Sequence, residues 1–95
     1  MNEDLLKLCE DTRYNFIRVD LDICVSSLNL GAYELSRGNI EMARREADCI
    51  ATAILTIEHY LPGIPAARRK SLEHDLAHIK SALAGFSSSI ALVTA

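Results

Sequence analysis

Apolar residues recur three and four apart through the first third of the chain, at Leu5, Cys9, Phe16, Val19, Ile23, Leu30 and Tyr33, with Thr12 and Ser26 filling the two gaps. This alternation is the heptad-like seam of a helix built to pack against another. A second stripe, Leu6, Ile17, Leu21, Cys24, Leu28 and Leu35, follows another side of the same segment, roughly 100° or more from the first at about 100° per residue. A helix with two apolar stripes cannot cover both with one neighbour. No Pro interrupts the segment, and Glu3 and Asp4 sit near its start, where the helix dipole favours acids. The pattern predicts one long helix over about residues 3–36, starting at Asn2 or Glu3. The alternative is a break near Asp20 to Asp22, where an Asp can cap a new start and give four helices in all.

Gly38 is placed to take the left-handed conformation that ends a helix, and Asn39 to cap the next one. The second helix spans about residues 39–61. Its core stripe is Ile40, Ala43, Ala47, Ile50, Ile54, Ile57 and Leu61, small in its first half and bulky in its second. Met42, Cys49, Ala53 and Tyr60 widen the apolar face. Pro62 then stops this helix, and Pro65 suits the first turn of the third, expected over about residues 65–85. That helix carries one narrow seam, Leu72, Leu76, Ile79, Leu83 and Phe86. Gly85 and Ser87 to Ser89 end or fray it, leaving residues 86–95 as a tail that docks on the bundle or continues the helix. Gly31, inside the first helix, costs about 1 kcal/mol relative to Ala. It points to a place where a neighbouring helix crosses closely.

The expectation is therefore an all-α, three-helix, mostly antiparallel bundle forming a single domain over residues 1–95. Its apolar faces exceed what two neighbours can cover. The surplus predicts self-association, as a homodimer, through the second stripe of helix 1 and the flank of helix 2: Leu6, Ile17, Leu21, Cys24, Leu28, Met42, Cys49 and Tyr60.

Composition agrees with helix packing and narrows the partners. The chain has 95 residues, 49% hydrophobic but only 5% aromatic, with 2 Pro and 4 Gly, too little turn chemistry for a β fold. A net charge of −3 argues against nucleic acid, which calls for a basic face. Cys9, Cys24 and Cys49 show no CxxC and no zinc spacing, consistent with reduced thiols in the cytoplasm. The N-terminal stretch is acidic where a signal peptide is basic. The run Ile90 to Val93 is too short to span a membrane. The expectation is a cytoplasmic protein with no membrane partner and no cofactor.

Residues 29–61 resemble a single tetratricopeptide-like helical hairpin. Leu30 and Gly31 match the triplet in that motif's first helix, Gly38 and Asn39 its turn, and Ala43 the small residue five positions after the turn Gly. Small residues at the helix crossing and Gly in the turn are the physical content of the match. Ser27 stands where the family has an aromatic, and Ile50 where it has a small residue. The resemblance implies a helical hairpin and protein or peptide binding.

Three constellations invite chemistry. His74 and His78 lie at i and i+4 on one helix face, the spacing metal chelation needs, but Asp75 stands where zinc-protease helices have Glu and no third ligand follows. The wheel puts both away from the seam. The segment around His78 also resembles the phosphorelay helix of histidine phosphotransfer domains, with Lys80 two residues on and Ser81 where that family has Lys. Arg68, Arg69 and Lys70 form a small basic patch for an anion or an acidic partner, or for ion pairing with Glu58 or Glu73. The serines cluster without an elbow turn, and no Cys adjoins a His, so nucleophilic catalysis has no support. The leading expectation is a non-enzymatic interaction or regulatory module that self-associates. Phosphotransfer through His78 and metal binding by His74 and His78 are the alternatives.

Overall fold

The computed structural model describes residues 3–94. Asn2, the alternative helix start, and Ala95, the last residue of the expected tail, lie outside the described residues. The chain is all-α: α1 spans Glu3–Ser36, α2 Ile40–Tyr60 and α3 Ala66–Thr94, with a single 3-10 turn at Leu61–Gly63 between the last two. No strand occurs among the described residues. α1 is continuous through Asp20 to Asp22, so no fourth helix forms. Their neighbours Val19, Ile23, Cys24 and Val25 are middling helix formers; burial of Ile17, Leu21 and Cys24 carries the helix across, and the acids stay at the surface or its edge.

The first turn is a Schellman motif. Gly38 adopts φ 79°, its N–H donates to Leu35 O, and Asn39 N–H donates to Glu34 O, the two bonds that satisfy the last carbonyls of a helix. Asn39 then caps α2. Its side-chain oxygen accepts from Met42 N–H, and its amide nitrogen donates to Glu34 at 2.8 Å. One residue thus ties the end of α1 to the start of α2.

The helices run up, down and up. Phe16 meets Tyr60 and Gly31 meets Glu46, so α2 is antiparallel to α1. Asp11 pairs with Arg68, Arg18 with Asp75, and Gly31 meets Phe86, so α3 is parallel to α1. The result is a rod of 58 × 17 × 16 Å.

The core sits on the second stripe of α1. Ile17, Leu21 and Cys24 are buried against Ile50, Ile54 and Ile57 of α2 and Leu72, Leu76 and Ile79 of α3. Ile64, between the helices, plugs one end of this layer. A smaller cluster of Ala43, Phe86 and Ile90 closes the other. Gly31 lies where both neighbours crowd α1. A Cβ placed there would stand 2.5 Å from the Phe86 ring and 3.2 Å from Glu46 Cβ, so the close crossing expected at this glycine is present.

Two expectations are corrected. Helix 3 does not stop at Gly85; of the two courses open to the tail, docking on the bundle or continuing the helix, residues 86–94 take the second. Leu83, Phe86 and Ile90 continue the seam of Leu76 and Ile79 at helical spacing, and their burial offsets the roughly 1 kcal/mol that Gly costs in a helix. The run Ile90 to Val93 is in consequence no isolated short stretch. It merges with the Ala- and Ser-rich segment before it, and α3 is long and apolar enough, by length and composition, to cross a membrane, a test that core helices of soluble proteins also pass.

Candidate functional site

The two stripes of α1 exchange the roles expected of them. Ile17, Leu21 and Cys24, expected on a dimer interface, are buried inside the chain's own bundle, and Leu28 packs half-buried against both core clusters. The physical reason is Gly31. It follows Ile17 and Cys24 at seven-residue intervals, on the same face, and only that face lets the Phe86 ring approach the α1 backbone. Of the remaining interface residues, Leu6, Cys49 and Tyr60 are exposed and Met42 is half-buried.

The stripe left outside is the heptad seam. Leu5, Leu8, Phe16, Val19, Ile23, Leu30 and Tyr33 are each 45% to 60% exposed, and Cys9 is exposed among them. The seam lies roughly 100° or more around the helix from its buried face. It covers residues 5–33, about 43 Å at 1.5 Å per residue. At its N-terminal end Leu8, Cys9, Thr12, Arg13, Phe16 and Tyr60 line an apolar hollow of about 450 Å³. The Phe16 and Tyr60 rings meet edge to face at 5.6 Å, and Arg13 donates to Gly63 O at 3.1 Å. α2 therefore braces the rim of the seam without covering it. Glu3–Cys9 are exposed on every side, so the first turns of α1 form a free apolar end.

Leu8 belongs to this surface and to neither stripe read from the sequence. Its signal is its place immediately before Cys9, on the flank of the heptad. Ile64 was likewise hidden between two prolines.

The basic patch is largely spent inside the chain. Arg68 donates to Asp11 at 2.5 Å and lies over the Tyr14 ring at 4.1 Å. Arg69 approaches Glu73 at 3.9 Å. Lys70 is exposed. The Arg68 pair, with Arg18–Asp75 at 2.6 Å, clips α3 to α1 along one edge. The Asp75 hydrogen bond pushes the Arg18 guanidinium further above its ordinary value.

His74 and His78 are exposed on α3, their rings edge to face at 4.7 Å. No group of three or more His, Cys, Asp or Glu able to hold a metal occurs among the described residues. His78 borders a shallow groove with Arg18, Asp22 and Asp75. Lys80 is drawn away to Glu58, at 2.7 Å. Burial pushes the Cys24 thiol above its ordinary value, with a smaller push from Asp20. Cys9 and Cys49 are exposed.

The outer face of α1 is thus an apolar strip that no helix among the described residues covers. Comparison with protein-family models, with curated proteins and with solved structures finds no match.

Proposed function

We propose that this chain is a non-enzymatic helical interaction module that self-associates through the outer face of α1. The observation that carries this reading is the heptad seam: apolar, four heptads long, and left open by the two helices packed against the other side. A strip about 43 Å long and one helix diameter of about 10–12 Å wide offers on the order of 500 Å² per copy. Two copies then bury about 1,000 Å², the floor for a biological interface and below the standard size of a tight one. Tyr60 stays with the proposed surface, and Leu6, Ile17, Leu21 and Cys24 leave it; Leu6 is exposed, but on the side of α1 that carries Cys24. The likeness of residues 29–61 to a tetratricopeptide hairpin belongs to the same class of function.

The test is solution mass by light scattering across a dilution series, for the native chain and for Val19→Glu. Val19 is exposed, so the substitution spares the core. The native chain is expected at twice the monomer mass of 10.5 kDa, and Val19→Glu at the monomer mass with unchanged helicity. A native chain that stays monomeric at every concentration overturns the reading.

A further inference from the structure

The seam carries more information than its apolarity. Counted in heptads, Cys9, Phe16, Ile23 and Leu30 occupy one set of inward positions, a, while Leu5, Thr12, Val19, Ser26 and Tyr33 occupy the other, d. Its two polar residues, Thr12 and Ser26, both fall in the second set, two heptads apart. In an antiparallel pair of helices, a layers face d layers. Thr12 and Ser26 would then meet only Cys9, Phe16, Ile23 or Leu30, whatever the register. In a parallel pair, like faces like. In register, Thr12 meets Thr12 and Ser26 meets Ser26, and every remaining layer is apolar or thiol on both sides. A stagger of one heptad sets both hydroxyls against Leu5, Val19 or Tyr33, and a stagger of two heptads discards half the seam. Thr12 donates to Leu8 O in its own helix at 2.9 Å; across the pair one Thr12 hydroxyl turns from that bond to donate to the oxygen of the other, which keeps its own.

The flanks agree. In a parallel pair each residue before an a position lies near the residue five further along the other helix. Asn15 then faces Asp20, Asp22 faces Ser27 and Asn29 faces Glu34 of the second copy. No like charges oppose one another, and each carboxylate meets an amide or hydroxyl. α2 flanks the seam at one rim, through Tyr60 beside Phe16, and leaves the seam residues themselves exposed to a second copy.

Resting on the self-association proposed above, we infer that the occupant of the α1 seam is a second copy of this chain, parallel and in register, with Thr12 and Ser26 as the residues that fix the alignment. The arrangement sets Cys9 of one copy against Cys9 of the other. Cys24 is buried, and Cys49 is exposed on α2, on the flank that carries Tyr60.

The experiment uses the full chain with Cys49→Ser, dilute, treated with a short bis-maleimide or mild oxidant and read by denaturing gel beside light scattering of the same sample. The expected result is a covalent dimer, lost with Cys9→Ser and lost with Val19→Glu. A second variant moves the probe: Cys9→Ser, Cys49→Ser, Ser26→Cys is expected to link to itself. A protein that scatters as a dimer but links at neither position overturns the parallel register and leaves self-association standing, as does a link between Cys9 and Ser26→Cys when both thiols are present. A monomer by scattering overturns both readings.

Discussion

At the scale of single residues, Cys24 and Gly31 make the sharpest commitments. The Cys24 thiol is buried among Ile17, Leu21 and Ile50, and burial raises its pKa in the folded chain. The unfolded chain therefore loses that proton first as pH rises. The folded state binds more protons than the unfolded above about pH 8.5, so stability is full below that value and falls as pH climbs through the folded pKa. Urea unfolding at pH 7 and at pH 9.5 is expected to show that loss, and Cys24→Ala to flatten the slope while weakening the core at both pH values. In the native state Cys49, exposed on α2, is expected to react quickly with a chromogenic disulfide, Cys9 as quickly only when dilution separates the two copies, and Cys24 only on unfolding. Gly31 sets two opposed effects against each other. Alanine improves helix propensity by about 1 kcal/mol, but its Cβ falls 2.5 Å and 2.8 Å from the Phe86 ring. A larger side chain has no such compensation. Gly31→Leu is expected to destabilise by about 1–3 kcal/mol, the range for overpacking, and Phe86→Leu in the same chain to restore part of the loss. Additive losses in that double-mutant cycle would refute the contact.

At the scale of the helix, most of the boundaries could be read from local chemistry. Gly38 with Asn39, and Pro62 with Pro65, are punctuation whose meaning depends only on a few neighbouring residues, and the structure places the turns there. The end of α3 could not be read this way. Gly85 and three serines are a local stop signal, and what overrides them is tertiary: Phe86 and Ile90 find Ala43, Leu35 and Ile40 beneath them. Ile90→Ala is therefore expected to cost about 2–5 kcal/mol, an effect no frayed tail would produce. Amide exchange should show protection running unbroken past Gly85. Which of the two α1 stripes is buried is obscured for a related reason. Each has helical spacing and enough bulk, so periodicity alone ranks them equally. The discriminating residue was present in the sequence, since Gly31 shares a face with Ile17 and Cys24, but reading it required asking which stripe a close-crossing glycine belongs to. The cross-helix pairs Asp11–Arg68 and Arg18–Asp75 were out of reach, because they depend on α3 running parallel to α1.

At the scale of the whole molecule, the rod itself bears on association. Its radius of gyration is 15.9 Å, against about 12 Å for a compact domain of this length. A rod of three helices exposes more surface for its volume than a globule does, and here seven of the exposed large apolar residues line one side of its longest helix, with Leu6, Val25, Leu55, Leu92 and Val93 exposed elsewhere. Lengthwise pairing of two such rods covers that side, whereas end-to-end contact does not. If Thr12 and Ser26 fix how the rods align, they do so at a cost in affinity, as polar residues in a helical seam generally do. Thr12→Leu with Ser26→Leu should then separate tightness from alignment. Each added leucine buries apolar surface worth about 1.5–3 kcal/mol when fully covered, so the dimer dissociation constant is expected to fall at least about tenfold. With the hydroxyl layers gone, other registers and the antiparallel pairing become tolerable, and the yield of the Cys9 cross-link per dimer should drop even as dimer mass persists to greater dilution. A variant that tightens while cross-linking at the native yield would show that the flanking contacts of Asn15, Asp22 and Asn29, rather than the two hydroxyls, hold the copies in register.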